Sequence, residues 1–192
     1  MKTRDSGMPD EAWWNTFFDP PSILQALGLD RVEGPVIDVG CGYGTFTLAI
    51  ARNTKHQMIA LDIEPALVAE VGVRAAAMHF SHVLPRVIDV TDGSLGLEHP
   101  NDDVVLLFNL LHCEAPLALL TAARAALRPG GRAGVIHWRS DVPTPRGPDL
   151  SIRPSPERCR SWLLDTGFAI EQDVTILPPY HFGLVGRANK KQ

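Results

Sequence analysis

Cysteine is scarce in this 192-residue chain, with three residues, Cys41, Cys113 and Cys159, far apart and no CxxC pair. That spacing supports neither a zinc site nor a disulfide framework, and no metal is expected. An excess of basic charge is missing too. Eighteen Lys and Arg against 22 Asp and Glu leave a net charge of −4. This argues against a broad nucleic-acid-binding face. No apolar run is long enough to span a membrane. The first residues are polar and acidic, unlike a signal peptide, so the expected compartment is the cytoplasm. Internal repeats and a linker marking a second domain are also absent. The length suits one domain with a sizeable core.

What is present is organised around Val36–Ile50, VIDVGCGYGTFTLAI. An apolar strand, Val36–Val39, breaks into Gly40-Cys41-Gly42-Tyr43-Gly44 and resumes as a helical pattern from Thr45. A buried strand feeding a glycine loop and a helix is the entry of a nucleotide-type α/β fold. The glycines are spaced GxGxG, and a dinucleotide fingerprint would need its third glycine where Thr45 stands. No lysine follows them, which excludes a phosphate loop of the Walker type.

The rest of the chain alternates in the same way. Strands are predicted over 57–62, 85–90, 102–109, 132–138, 169–177 and 181–188. Helices are predicted over 45–52, 65–78, 116–127 and from Ser155 to Gly167. Arg128-Pro129-Gly130-Gly131 reads as a turn before the fifth strand, and 140–154 as a loop over the sheet's working edge. The last two strands are joined by a short turn at Pro178-Pro179, so they should run antiparallel. Ahead of the core, Pro9–Phe18 reads as a helix ended by Pro20-Pro21, with Ser22 as a possible cap for a second short helix, 23–27. Trp13, Trp14, Phe17 and Phe18 lie within six residues, a density that is costly to leave wet.

The glycine run resembles the first motif of the S-adenosylmethionine-dependent methyltransferases with a Rossmann-like core, and the resemblance extends over roughly residues 30–188. It implies an α/β fold: a Rossmann-like seven-stranded sheet of order 3-2-1-4-5-7-6, strand 7 antiparallel, with helices on both faces. Residues 1–29 would form an N-terminal aromatic arm and short helices, a possible lid, and 30–192 the methyltransferase core. S-adenosyl-L-methionine is the implied cofactor. By the resemblance, Gly40, Cys41, Gly42 and Gly44 pack under its methionine half, and Asp38 approaches its amino end directly or through water. Asp62 accepts the ribose hydroxyls, Ile63 packs on the adenine, and Asp89 accepts the adenine amino hydrogens with the Val90 amide near the ring. Asp92 competes with Asp89, because the register of that loop is open. The backbone at Asn109 would lie beside the methionine part.

The loop Asn109–Glu114, NLLHCE, resembles small-molecule methyltransferases and lacks the Asn/Asp-Pro-Pro-Tyr/Phe run of many enzymes that methylate bases or glutamine amides. His112 is the candidate general base, since a reference pKa near 6.5 suits proton removal from a hydroxyl or amine. The alternative is a structural histidine bonded to loop backbone. Glu114 could orient His112 or cap the helix at Pro116. Trp14, Phe18, His112, Trp138 and Arg139 are candidate acceptor contacts, and strand alternation turns only one of Trp138 and Arg139 inward. The arm either walls the acceptor pocket or packs for stability alone.

The activity implied is methyl transfer to an oxygen or nitrogen of a small molecule by a monomer or homodimer. The alternatives are methylation of a protein or RNA, a non-catalytic cofactor-binding module, and a nicotinamide oxidoreductase, which the GxGxG spacing opposes. Arsenite methylation, which uses clustered cysteines, fits poorly, and Cys159 reads as a core residue.

Overall fold

Seven strands form one sheet in the computed structural model of the chain, which describes residues 8–90, 93–97 and 102–189. They are β1 (Val36–Val39), β2 (Met58–Asp62), β3 (Val83–Val87), β4 (Asp102–Phe108), β5 (Leu127–Trp138), β6 (Phe168–Leu177) and β7 (His181–Ala188), in the order β3-β2-β1-β4-β5-β7-β6. The first five pair in parallel, and β7 runs antiparallel to both β5 and β6. The predicted order and the antiparallel strand are both observed. Every residue of β1, β2 and β4 is buried, which is why these segments read as near-continuous apolar runs.

Side-chain alternation along these strands feeds two cores, one on each face. On one face Val36, Met58, Ala60, Val104 and Leu106 meet α2 (Pro20–Ala26), α3 (Thr45–Ala51) and α4 (Pro65–Ala77). On the other, Ile37, Val39, Ile59, Leu61, Val105 and Leu107 meet α5 (Pro116–Ala126) and α6 (Pro156–Asp165). Cys159 is fully buried in α6, a core residue as predicted.

Three local predictions are corrected. Pro20 and Pro21 open α2 and do not merely end the helix before it. Asp19, not Ser22, caps it by accepting the Ser22 N–H. Proline suits the first helical positions, where the missing N–H has no partner to lose. The third strand starts at Val83, because its register against β2 runs from Met58↔Val83 to Asp62↔Val87. It ends where β2 ends, and Pro85 is tolerated because β3 is an edge strand. The Arg128–Gly131 turn lies inside a longer strand. Leu127 pairs with Asp102 and Arg132 with Val104, so the four residues between bulge out, with Gly130 at φ +80°.

The arm forms α1 (Glu11–Trp14) and a 3-10 turn over Asn15–Phe17. Asp10 caps α1, and Glu11 sits in its first turn as expected.

Candidate functional site

The carboxyl ends of all five parallel strands border a cavity of about 400 Å³, a size typical of small-molecule sites. Gly40 and Gly42 come from the loop after β1, Asp62 and Ile63 from the end of β2, and Asp89 and Val90 from the segment after β3. Asn109 follows β4, and Trp138 ends β5. The loop holds Gly40 at φ +68° and Gly42 at φ +53°. Space is short as well: a Cβ at Gly40 would stand 2.8 Å from Leu110, and one at Gly42 2.9 Å from Met8. The Cys41 N–H donates to the Leu61 carbonyl at 2.9 Å, tying the loop to β2. Cys41 and Gly44 are not on the cavity wall; the first is buried and the second caps α3.

Asp62 is buried, and both carboxylate oxygens are in use. One accepts the Gly42 N–H at 2.8 Å, the other the Glu64 N–H at 3.0 Å. Asp38 lies on the α3 side of β1, off the cavity wall, and accepts a hydrogen bond from the Thr47 hydroxyl. Burial pushes its carboxyl up to about 7; the Thr47 bond opposes the rise and the nearby Asp62 charge adds to it. Asn109 adopts φ +59°, and its Oδ1 is buried without a hydrogen-bond partner. An orphaned acceptor on a cavity wall suits a ligand that brings a donor. Asp89 and Val90 both face the cavity, whereas Asp92 lies outside the described residues.

His112 also lines the cavity. Its Nδ1 lies 3.2 Å from Nε2 of His137, and Nδ1 of His137 lies 3.1 Å from the Trp138 carbonyl oxygen. A second histidine, not loop backbone, therefore holds His112. Burial lowers the His112 pKa, with the Arg153 charge adding to the effect. Burial takes His137 down to about 3. Glu114 lies on the wall, and Ala115, the N-cap residue of α5, makes no side-chain cap bond.

Two segments cover this end of the sheet. The arm is fixed by Glu11 paired with Arg74, by the Tyr43 hydroxyl donating to the Pro9 carbonyl at 2.7 Å, and by Trp14 Nε1 donating to Thr45 Oγ1 at 3.0 Å. Trp14 and Met8 reach the cavity. Phe18 does not; it stacks on His181, ring centroids 4.6 Å apart, and Phe17 is buried 5.3 Å from Trp138. The second cover is the 140–154 loop, whose Arg146, Gly147 and Pro148 line the cavity. Arg153 holds this loop closed by donating to the carbonyls of Pro148 (2.8 Å), Arg139 (2.8 Å) and Arg146 (3.2 Å). Arg146 also sits over the Trp13 ring at 5.8 Å, so loop and arm touch.

Of the pair at the end of β5, Trp138 faces inward. The Arg139 side chain is off the wall and paired with Asp141 at 2.7 Å. Sequence reasoning did not single out Met8, Arg146, Gly147 or Pro148, because loop residues carry no period that orients them. The structure gives Gly147 a specific place. It has φ +110° and packs on Trp138 so closely that a Cβ would come within 2.9 Å of that ring.

This combination of sheet order, glycine loop and strand-end acids is the architecture of the class I S-adenosylmethionine-dependent methyltransferase fold. The methyltransferase domain family is matched over residues 36–131, half of the chain, and the protein belongs to that family. S-adenosylmethionine is the family's cofactor. A ubiquinone biosynthesis O-methyltransferase of Xanthomonas campestris pv. campestris (strain B100) is 33% identical over 131 residues, covering 62% of this chain and 53% of the relative. The chain thus spans about half the length of the curated relatives it matches. Among solved structures, a SAM-dependent methyltransferase from Aquifex aeolicus superimposes with a TM-score of 0.76 at 19% identity, covering 89% of this chain and 90% of that one. The [4+2]-cyclase SpnF gives 0.75 at 17% identity, covering 97% and 86%. At these identities both show the fold. Among the described residues, no helix is long and apolar enough to cross a membrane.

Proposed function

We propose that the chain transfers a methyl group from S-adenosylmethionine to an oxygen or nitrogen of a small molecule, with His112 as the general base. One observation carries this reading: His112 lines the same cavity as Asp62 and the unpartnered Asn109 Oδ1. Bound, the cofactor supplies an activated methyl group on a sulfonium, so the chain must only hold, align and deprotonate the acceptor.

The residues present fit that cofactor. Asp62 has acceptor lone pairs left for ribose hydroxyls, Ile63 and Val90 give an apolar wall for a base, and Asp89 gives an acceptor beside it. Asn109 offers its free oxygen to a donor. Gly40 and Gly42 present bare backbone to the cavity, where a Cβ would collide with Leu110 or Met8. Asp38, off the wall, would act on the amino end through water or the loop.

A small acceptor fits a cavity of about 400 Å³ bordered by Trp14, Trp138 and the Arg146–Pro148 segment. The O-methyltransferase relative favours oxygen as the accepting atom. We place the enzyme in the cytoplasm, as a monomer or homodimer; its three cysteines are free thiols, in keeping with a reducing compartment.

The test measures S-adenosylhomocysteine formation against a panel of phenols, catechols and amines, beside calorimetry with the cofactor. His112→Ala should lower turnover roughly a hundredfold while cofactor affinity holds. Turnover on RNA or protein with none on any small molecule would overturn the acceptor class. Full turnover in His112→Ala would remove the base.

A further inference from the structure

We propose that His137 is a positioning residue that fixes the tautomer of His112, placing its proton on Nδ1 and leaving Nε2 as the nitrogen that accepts a proton from the acceptor. The proposal rests on His112 being the base. It follows from a chain of three groups, the Trp138 carbonyl, the His137 ring and the His112 ring. The Trp138 carbonyl oxygen can only accept, so Nδ1 of His137, 3.1 Å away, must carry a hydrogen. His137 is fully buried and its neutral form is strongly favoured, so it holds a single ring proton. Its Nε2 is then a bare acceptor. The 3.2 Å contact to His112 Nδ1 is a hydrogen bond only if His112 supplies the hydrogen.

The consequence is directional. A neutral imidazole has one donor and one acceptor nitrogen. With Nδ1–H committed to His137, the lone pair of His112 is on Nε2, on a ring that lines the cavity. The proton balance closes: Nε2 takes the acceptor's proton as the nucleophile attacks, and the resulting imidazolium keeps its Nδ1–H bond to His137. His137 gains and loses nothing. A serine protease aspartate sets its histidine in the same sense, and a wrong tautomer there lowers turnover by about four orders of magnitude. Here a neutral, buried histidine at the end of β5 takes that place, anchored by the carbonyl of the next residue. His181 is a further histidine near His137, and it has no hydrogen-bond partner on either nitrogen. It therefore takes no part in this line.

The test combines a spectroscopic readout with turnover. Nitrogen-15 NMR of histidine-labelled protein, with His112 assigned through His112→Gln, should show His112 protonated at Nδ1 and unprotonated at Nε2 near pH 7.5. In His137→Leu the Nε2–H form of His112 should appear, and kcat should fall at least tenfold with cofactor affinity unchanged. His137→Gln, whose side-chain oxygen can accept from Nδ1–H, should recover much of both. Wild-type His112 protonated at Nε2 would overturn the proposal without any variant needing to fold. So would a folded His137→Leu with full kcat while His112→Ala is impaired. If the Nδ1–H tautomer is found but His112→Ala turns over normally, the base assignment has failed and the positioning role falls with it, whereas the hydrogen-bond line stands.

Discussion

A single carboxylate, Asp62, links two parts of the site. It anchors the glycine loop through the Gly42 N–H and the start of α4 through the Glu64 N–H, and it still faces the cavity. Removing it takes away a proposed ribose acceptor and a loop anchor together. Asp62→Ala should therefore weaken S-adenosylhomocysteine by roughly 1–3 kcal/mol, about five- to 150-fold, as read by calorimetry. Glu64→Ala should leave affinity unchanged, since only the Glu64 backbone is engaged and its side chain is off the wall. Unchanged binding in a folded Asp62→Ala protein would move the ribose contact elsewhere. Asp62 was legible in the sequence because the end of a buried strand fixes where its last side chain points. The free Asn109 oxygen and the His112–His137 contact were not. Both depend on pairing between residues distant in sequence, β4 lying beside β5, and a histidine inside the apolar strand Val135–Trp138 looks the same whether it is filler or partner.

Among elements, strands were the most legible. Burial on both faces makes apolar runs, and these hold their meaning wherever the chain goes. Boundaries were less so where tertiary pairing overrides local signals, as when β4 draws Leu127 into pairing ahead of the Arg128–Gly131 bulge. The aromatic arm announced that it must be covered, though not which ring would meet the cavity. Trp14 does so, while Phe17 and Phe18 pack on Trp138 and His181. Arg153, at its far end, ties down the 140–154 loop. Arg153 bonds three carbonyls with a planar fork that lysine cannot reproduce. Arg153→Lys should leave cofactor affinity in place and raise the acceptor KM roughly tenfold, from the loss of one or two such bonds. Limited proteolysis should cut within 140–154 faster than in the parent. Unchanged KM and unchanged cleavage would mean that the loop's packing on Trp138 suffices.

The whole molecule carries its buried titratable groups in a pattern that sets how stability depends on pH. His137 and His181 are both buried and both driven down to about 3 from the 6.5 of a free imidazole. Asp38 moves the other way, from 3.8 up to about 7. As pH falls below 6.5, the unfolded chain takes up two protons that the folded protein refuses at the two histidines. Over the same range the folded protein holds one proton at Asp38 that the unfolded chain lacks until about 3.8. The difference is one proton bound in favour of the unfolded state, and His112, also lowered, adds in the same direction. Stability should therefore fall as pH drops from about 6.5 to 4, at about 1.4 kcal/mol per pH unit or somewhat more. It should fall more steeply below 3.8, where the Asp38 difference vanishes. Between about 6.5 and 7 the fading histidine difference and the Asp38 difference come to cancel, which puts the maximum at about pH 7. His181 makes this testable without touching the proposed base. Both of its nitrogens lack partners, and it sits among rings, 4.1 Å from Trp138 and 4.6 Å from Phe18 between centroids. His181→Phe removes two unsatisfied polar atoms and one proton from the balance. Urea unfolding of that variant should give stability at pH 7.5 equal to or above the parent's, and a slope between pH 6 and 4 smaller by about one proton, close to flat. If the variant follows the parent's pH profile, His181 is charged in the folded protein and a donor pair inside the fold has a partner.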